Sequence, residues 1–271
     1  MSTDGLRAID YLRAYDEQLR SDAETPSAVS VTREGPLRLV TFAGGRGFVT
    51  YRDLGGACTA RVTELVAAAR AHFEADPGIL KVEWKTRGHD VAPGLHDALV
   101  ACGFAPEEPE SIMIGPVEAL LSDHPVPEGV ELRRVVDEPD VRAFSAMIDD
   151  AFEEEVDVAI ADSLVARLAR GDGMELWVAE VDGRMVSGGR LEPVPGTDFA
   201  GIWGGATLPA FRGRGLYGLV TAARAASAQS MGKTLVHSDS TEYSRPILER
   251  AGLVRVSTTT PYRWRRLHNE G

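Results

Sequence analysis

Hydrophobic residues recur at helical spacing in some parts of the chain and alternate with polar residues in others. Residues 5–21 carry apolar side chains near every third or fourth position and predict an amphipathic helix. Residues 28–54 alternate instead, with glycine and proline interruptions, which predicts antiparallel strands joined by turns. A helix over 59–76 and a strand over 79–86 follow. The chain therefore begins as a mixture of helices and strands.

The first half ends with a helix over 92–104 and a strand over 110–115. Pro125, Pro127 and Gly129 then break the pattern, as expected of a linker. We accordingly predict three parts, namely an N-terminal domain over 1–116, a linker over 117–128 and a C-terminal domain over 129–271.

The second half predicts ten elements in the order β, α, α, β, β, β, α, β, α, β, including a hairpin that turns at Asp182-Gly183. The elements cover residues 130–135, 139–155, 158–170, 174–194 (the hairpin), 199–208, 215–231, 233–239, 244–252 and 254–266. This order predicts a mixed α/β fold with a largely antiparallel central sheet flanked by helices. The strand, helix-glycine and strand that end it match the end of the first half in pattern, which predicts two tandem copies of one fold.

Composition narrows the class of protein. The chain has 271 residues, 44% of them hydrophobic, which is too apolar for disorder. Neither a membrane-spanning stretch nor a basic-then-apolar leader is recognisable, so we expect a cytoplasmic protein that does not bind membranes. A net charge of -12 argues against nucleic acid as a partner. Cys58 and Cys102 lack metal-ligand spacing, so we expect core cysteines and no metal. The sequence leaves open whether the chain forms a homo-oligomer.

The stretch "FRGRGLYGLV", residues 211–220, suggests phosphate chemistry. Gly213 and Gly215 lack Cβ atoms, so their backbone can lie against a ligand. The helix that follows presents unpaired N–H groups and a partial positive charge, and Arg212 and Arg214 add full charges. A pyrophosphate would suit this site. The alternative is a glycine turn before a surface helix with two solvated arginines.

Another alternative is dinucleotide binding. Gly213 to Gly218 also matches G-x-G-x-x-G, and Asp239 stands at the end of the next strand, where a ribose-binding acid would lie. That fold opens with the motif directly after its first strand, however, and needs further βαβ units. Only residues 240–271 follow Asp239, so an NAD-binding oxidoreductase is the less favoured function.

The segment "ATLPAFRGRGLYG" and its strand-loop-helix context resemble the GNAT superfamily of acyl-CoA N-acyltransferases, over about residues 129–266. In that family an Arg/Gln-x-x-Gly-x-Gly/Ala loop binds the coenzyme A pyrophosphate through backbone amides. This sequence departs at the sixth position, where Tyr217 should narrow the loop. The first half offers only Arg52 and Gly55-Gly56 at that place, so we expect a degenerate N-terminal copy. The resemblance implies acetyl-CoA as acyl donor, bound by Arg212, Gly213, Arg214, Gly215, Leu216, Tyr217 and Gly218.

The resemblance also implies catalytic groups. The backbone of Ala206, Thr207 and Leu208 is expected to donate to the thioester carbonyl oxygen. The family's usual strand glutamate is absent, and its usual tyrosine acid is replaced by Leu248. The candidate base is His237, and the candidate acids are Tyr243 and Ser244. Ser244 could equally cap a helix, and a histidine in a strand is often structural.

The acceptor is expected to be a primary amine of a small molecule or peptide. The segment "DDAFEEEVD", residues 149–157, concentrates acidic side chains where GNAT proteins commonly border the acceptor, which favours a cationic amine. A solvated acidic face is the alternative. A different class of function is also open, in which the chain binds acyl-CoA without catalysis because the usual glutamate and tyrosine are missing.

Overall fold

A computed structural model of the chain describes residues 3–121 and 125–266. The helices are α1 Thr3–Gln18, α2 Thr59–Ala75, α3 Leu95–Ala101, α4 Glu138–Phe152, α5 Val158–Arg170, α6 Leu216–Ser230 and α7 Arg245–Arg250. The strands are β1 Ser30–Glu34, β2 Leu37–Phe42, β3 Arg46–Thr50, β4 Lys81–Lys85, β5 Ala105–Pro106, β6 Glu110–Pro116, β7 Val130–Val135, β8 Glu175–Val181, β9 Arg184–Pro193, β10 Phe199–Thr207, β11 Leu235–Ser240, β12 Val254–Thr259 and β13 Pro261–Arg265.

The chain forms two compact units that are not continuous in sequence. Within the described residues, the first unit comprises 3–112, 239–245 and 255–266, and the second comprises 113–121, 125–238 and 246–254. The sequence placed a boundary at a single linker over 117–128. Four of those residues, Val117–Leu120, instead form a 3₁₀ turn with Val117 and Leu120 buried.

The first unit is built on a six-stranded sheet in the order β1-β2-β3-β4-β13-β5. Its pairs are antiparallel except β3 with β4, which are parallel. One core packs α2 and α3 on this sheet, through large side chains that include Phe73, Trp84, Leu99, Phe104 and Trp264. Burial of these aromatic rings stabilises the unit through the apolar surface that they remove from water.

The second sheet has seven strands in the order β12-β6-β11-β10-β9-β8-β7. Strands β7 to β10 form an antiparallel meander, and β10 pairs with β11 in parallel. The β8–β9 turn has positive φ at Asp182 (51°) and Gly183 (74°), as a two-residue hairpin requires. The predicted fold class, two mixed α/β copies with largely antiparallel sheets flanked by helices, is confirmed.

The end of the chain differs from its prediction. The sequence indicated one final strand over 254–266, but the structure has two strands, and they lie in different sheets. β12 is an edge strand of the second sheet, whereas β13 lies between β4 and β5 in the first. β6, from the first half of the sequence, correspondingly lies between β11 and β12. Each sheet is therefore completed by a strand from the other half of the sequence.

Helix starts follow local capping chemistry. The Asp137 carboxylate accepts a hydrogen bond from the Asp140 N–H at the start of α4, and Asp157 does the same for α5. None of the helices in the described part of the chain combines the length and hydropathy needed to cross a bilayer.

Candidate functional site

The site begins at an irregularity in β10. Trp203 pairs with Arg190 of β9, but the next pair is Ala206 with Gly188, so β10 contains one extra residue. Gly204 has a φ of 55°, a backbone conformation that side chains with a Cβ rarely adopt. The result is a β-bulge, which bends the strand and redirects the residues after it.

β10 and β11 pair only where they begin. The parallel pairing covers Phe199–Gly201 opposite Leu235–His237. β10 then continues through the bulge to Thr207, and β11 continues to Ser240. The two strands separate beyond Gly201, which leaves the backbone of β10 without a strand partner on that side.

The pairing of β10 with β9 decides which backbone N–H near the end of β10 can donate to a ligand. The Leu208 N–H donates to the Val186 oxygen of β9 at 2.9 Å, and antiparallel alternation directs the Ala206 N–H to β9 as well. The same alternation turns the Thr207 N–H away from β9, toward the side where the strands separate. Of the three predicted donors to a carbonyl oxygen, Leu208 is therefore excluded and Thr207 is the one correctly oriented.

The glycine-arginine loop adopts the geometry that an anion site needs. Gly213 and Gly215 have φ values of 77° and 78°, and a Cβ at either position would meet no atom within 4 Å. α6 starts directly afterwards, and helix geometry leaves the N–H groups of Leu216, Tyr217 and Gly218 without intrahelical acceptors. Open amides and the positive end of a 15-residue helix therefore face the same space.

The two loop arginines do different work. Arg212 donates from Nε to the Thr207 oxygen (3.1 Å) and from Nη2 to the Ala151 oxygen (3.0 Å). It thus ties the loop to the ends of β10 and α4. Arg214 is exposed, with its guanidinium 5.0 Å from the centre of the Phe211 ring and a long contact to the Ala210 oxygen (3.4 Å). Arg214 is the more available cation.

Tyr217 does not narrow the loop, so that expectation is wrong. Its ring packs at the β10 bulge, where a Cβ built on Gly205 would lie 2.9 Å from the ring. Burial raises the pKa of its hydroxyl group above the usual value, although Arg224 and a hydrogen bond with Thr221 act in the opposite direction. The phenol is directed along α6 toward the sheet instead of across the two glycines.

Arg224 is a residue that the sequence analysis missed. It is 1% exposed and faces backbone carbonyls, donating from Nη1 toward the oxygens of Arg190 (3.3 Å) and Trp203 (3.4 Å). Burial lowers its pKa to about 10. A Cβ on Gly189 would lie 2.5 Å from this guanidinium, so glycine provides its space. Its position seven residues after Tyr217, on the buried stripe of α6, was the available signal.

A cavity of about 510 Å³ adjoins the loop in the second unit. α6 contributes its first two turns to the wall, α7 contributes Ile247 and Leu248, and Ala251 follows directly after α7. Leu248, which stands where the GNAT family usually has tyrosine, is 1% exposed and apolar. The cavity has the size and position to take the elongated body of a ligand whose phosphates lie at the loop.

His237 is on β11, opposite Gly201 of β10, at the last pair before the two strands separate. Gly201 pairs with His237 on one side and with Glu192 on the other, so these positions share a face. The imidazole is 8% exposed, and the rings of Phe199 and Trp203 approach it edge-on at 5.7 and 4.9 Å. The structure therefore places the predicted base beside the bulge, in an aromatic setting.

Glu192 is an ion-paired group and not a free base. Burial alone would raise the pKa of its carboxyl group, but Arg190 and Arg167 outweigh burial and hold the pKa below its usual value. The Arg167 Nη1 atom lies 2.6 Å from its Oε1 atom, and Arg190 contacts the same oxygen. Two guanidinium groups thus share this carboxylate oxygen.

The two candidate acids lie in the segment between β11 and α7, which belongs to the first unit. Tyr243 is 92% exposed. Ser244 precedes α7 and contacts the Thr241 hydroxyl and carbonyl oxygens at 3.4 Å each. Neither residue is among those that line the cavity beside α6.

The acidic segment after α4 divides into two groups. Asp149 is buried and accepts from the Asp157 N–H at 3.1 Å, while Asp157 caps α5, so both hold the backbone in shape. The residues of 153–155 are exposed glutamates. They follow Ala151, whose oxygen accepts from Arg212, so the free negative charge lies near the loop.

The counterpart loop of the first unit follows β3 and precedes α2. Gly55 and Gly56 have φ values of 62° and 71°, but the Gly55 N–H already donates to the Asp53 carboxylate at 2.8 Å. The Asp53 carboxylate therefore takes up an amide hydrogen that a phosphate would need, and its negative charge would repel a phosphate. Cys58, at the start of α2, is exposed and not the core residue expected, whereas Cys102 is half-buried against the core.

The structure argues against the dinucleotide alternative. The second sheet is an antiparallel meander with a parallel pair, not a doubly wound parallel sheet. Asp239, the proposed ribose ligand, is ion-paired with Lys85. Across residues 3–121 and 125–266, no group of three or more His, Cys, Asp or Glu side chains is placed to hold a metal ion.

Several solved structures with this architecture are described as acetyltransferases. The chain is similar to a GCN5-related N-acetyltransferase from Kribbella flavida, with 19% identity, a TM-score of 0.66 and coverage of 99% of this chain and 98% of that one. A GCN5-related N-acetyltransferase from Sphaerobacter thermophilus gives 16% identity, a TM-score of 0.62 and coverage of 95% and 91%. A tandem GNAT protein from the clavulanic acid biosynthesis pathway gives 17% identity and a TM-score of 0.55, with coverage of 87% of this chain and 81% of that one.

No protein-family model and no curated protein matches the sequence. The structural similarity at these identities defines the fold. The chain has a GNAT fold in tandem arrangement, as the sequence motifs predicted.

Proposed function

We propose that the chain is an N-acetyltransferase whose second unit binds acetyl-CoA and transfers the acetyl group to a primary amine of a small molecule or peptide. The observation that carries this proposal is the separation of β10 from β11 beside the open amides of the 213–218 loop. Phosphates at the loop and an acyl group at β10 fit one elongated ligand. The chain's own residues supply recognition at both ends.

The loop binds the phosphates of the donor, and the end of β10 binds its thioester group. The N–H groups of residues 216–218, with Arg214, hold the pyrophosphate of the donor. Arg212 fixes the loop against Thr207, which keeps the Thr207 N–H aligned for the thioester carbonyl oxygen. That N–H would stabilise the negative charge that develops as the amine attacks. The Thr207 amide and the loop are thus mechanically joined through one guanidinium.

Proton transfer needs an acceptor and a donor. As the amine nitrogen bonds to the carbonyl carbon, it loses a proton, and the departing thiolate gains one. His237 is our proposed proton acceptor because it lies beside the bulge. Tyr243 and Ser244 are the candidate proton donors, and Tyr243→Phe and Ser244→Ala should slow transfer if either hydroxyl group has this role. Solvent can serve either role, since proximity of amine and thioester supplies much of the rate.

A cationic amine is the acceptor class we propose. The exposed glutamates of 153–155 lie near the loop and attract positive charge. Because these side chains are solvated, the preference for cationic over neutral amines should weaken as salt concentration rises. The remaining partner expectations, no nucleic acid, no membrane and a cytoplasmic location, stay predictions.

A second function has its own supporting observation. The buried, apolar Leu248 lines the cavity where an acid would serve the leaving thiolate. A chain that binds acyl-CoA without transferring the acyl group would have the same loop and the same cavity. Turnover separates the two functions, because both predict binding.

The test begins with calorimetric titration of acetyl-CoA, with NADH and adenosine diphosphate as controls. Saturable binding of acetyl-CoA, with NADH inert, is expected. A screen of cationic and neutral amines, read by release of free thiol, then tests transfer. Binding without thiol release from any amine would favour the non-catalytic function, and no binding at all would contradict both.

A further inference from the structure

A polar site in the first unit is formed by side chains that have no part in the acetyl-transfer proposal. Residues just after β4 run beside the end of β12, where the Gly88 N–H donates to the Thr258 oxygen at 2.8 Å. A Cβ on Gly88 would collide with the Thr258 hydroxyl, so only glycine permits this approach. The pairing fixes the next residue on each segment, His89 and Ser257, opposite one another.

Three side chains meet there in the order hydroxyl, imidazole, carboxylate. His89 Nδ1 lies 2.6 Å from Ser257 Oγ, and His89 Nε2 lies 3.1 Å from Asp16 Oδ1 of α1. A nucleophile within reach of a base, with the base oriented by a third group, is the arrangement that activates a hydroxyl. The three residues are 241 positions apart at the extremes, so no sequence motif announces them.

Donor counting fixes the proton on the imidazole. Arg20 Nη1 lies 2.7 Å from Asp90, 3.3 Å from Asp16 and 3.1 Å from His89 Nε2. This nitrogen carries two hydrogens, and the two carboxylates are the stronger acceptors. Nε2 then keeps its own hydrogen and donates to Asp16, which leaves Nδ1 free to accept from the Ser257 hydroxyl.

The Asp16 carboxylate supports proton transfer to the imidazole. Its Oδ1 atom accepts from His89 Nε2, and the same oxygen is ion-paired with Arg20. A carboxylate at this ring nitrogen orients the imidazole and stabilises the imidazolium that forms when Ser257 loses its proton. Asp16 is therefore a positioning and charge-stabilising residue, whereas Ser257 and His89 would touch the reacting atoms.

A cavity of about 420 Å³ opens on Ser257 and His89, and the exposed Arg255 lies on its wall. The guanidinium of Arg255 can pair with a carboxylate or phosphate of a bound molecule. The space is large enough for a small ester.

We infer that Ser257 is an activated nucleophile and that this cavity is a second catalytic site, which hydrolyses small esters bearing an anionic group. Ser257 Oγ bonds to the ester carbonyl carbon as its proton passes to His89 Nδ1. The C–O bond then breaks, and the alcohol leaves with that proton. Water then bonds to the carbonyl carbon of the acyl-serine and gives a proton to His89 Nδ1. The bond to Ser257 Oγ breaks, Oγ takes that proton back from His89, and the acid is released.

Labelling of the full chain with a fluorophosphonate tests this inference without a substrate. Peptide mass spectrometry compares Ser257 with Ser230, an exposed serine at the end of α6 whose hydroxyl group donates to the Ser227 carbonyl oxygen. Base activation should make Ser257 react at least about tenfold faster. Equal rates at the two serines in the wild-type chain would overturn the proposal.

Variants locate the cause of the reactivity. Ser257→Ala should abolish both labelling and hydrolysis of a 4-nitrophenyl ester that carries a carboxylate, while Ser230→Ala changes neither. His89→Gln should slow Ser257 labelling about tenfold or more, and Asp16→Asn by less. Unchanged labelling in a folded His89→Gln chain would contradict the assignment. Binding of acetyl-CoA should survive in Ser257→Ala, which keeps this test separate from the acetyl-transfer proposal.

Discussion

Arginines with the same charge do three different jobs in the second unit, and only their contacts distinguish them. Arg214 is solvated, Arg212 ties the loop to two backbone oxygens, and Arg224 is buried under the β10 bulge. Substitution of Arg214 should therefore affect ligand binding, substitution of Arg212 should affect the order of the loop, and substitution of Arg224 should affect folding.

Arg214→Glu is predicted to weaken acetyl-CoA binding about tenfold without unfolding the chain. The change replaces a charge that would pair with phosphate by one that repels it, at a cost of about 1.4 kcal/mol or more. Calorimetric titration measures the affinity. The matched control is Arg184→Glu, an exposed arginine at the start of β9. Equal affinity of the Arg214 variant and wild type would remove the loop from the site.

Glu110 is predicted to make the first unit less stable as pH rises. Burial, with Asp239 nearby, raises the pKa of its carboxyl group to about 7. The folded chain therefore binds more protons than the unfolded chain between about pH 4.5 and 7, and the free energy of unfolding falls over that range.

Glu110→Gln removes this titration. The variant should unfold at a higher temperature than wild type at pH 8, and the difference should shrink toward pH 5. Thermal unfolding at several pH values measures it, with Glu108→Gln as the control because Glu108 is exposed. A difference independent of pH would contradict the assigned cause.

At the level of single elements, the β10 bulge depends on two glycines and on the ring of Tyr217. Gly205→Ala would place a Cβ 2.9 Å from that ring, so either β10 or α6 must shift. We predict a loss of about 1–3 kcal/mol in the free energy of unfolding. The Thr207 N–H should lose its alignment, so acetyl transfer should fall more than acetyl-CoA affinity does.

A second change tests whether the clash is the cause. Tyr217→Ala removes the ring, so the double variant should be more stable than the sum of the two single changes predicts. Denaturant unfolding of the four chains measures this coupling. Strict additivity would mean that Gly205 is required for another reason.

At the level of the whole molecule, each sheet depends on a strand from the other half of the sequence. β13 lies between β4 and β5, and its Trp264 is 6% exposed in the core of the first unit. Deletion of the last strand should therefore unfold the first unit, although the sequence assigned that strand to the second domain.

Trp264→Ala is the point-mutation form of this prediction, with an expected loss of about 3–5 kcal/mol. Amide hydrogen exchange should show lost protection in β3 and β4 and retained protection in β8 and β9. A loss confined to β8 and β9 would contradict the strand assignment. Arg265→Ala, at an exposed position of the same strand, serves as the control.

The sequence by itself determined most elements and the phosphate-type loop, because these depend on residues close together in the chain. Helix α5 has its predicted bounds, and Asp182-Gly183 forms its predicted turn, since capping and positive φ are local requirements. Gly213 and Gly215 take the left-handed backbone that the loop needs for the same reason.

Only the tertiary structure decided which sheet accepts each terminal strand, because a strand's own residues show whether it is buried but not which neighbouring strands it pairs with. It also decided that Tyr217 turns to the bulge, that Arg212 anchors the loop and that Thr207 presents the open amide. These properties depend on strand register and on side chains brought together from distant positions. The grouping of Asp16, His89 and Ser257 is of the same kind, since proximity in space alone makes it a site.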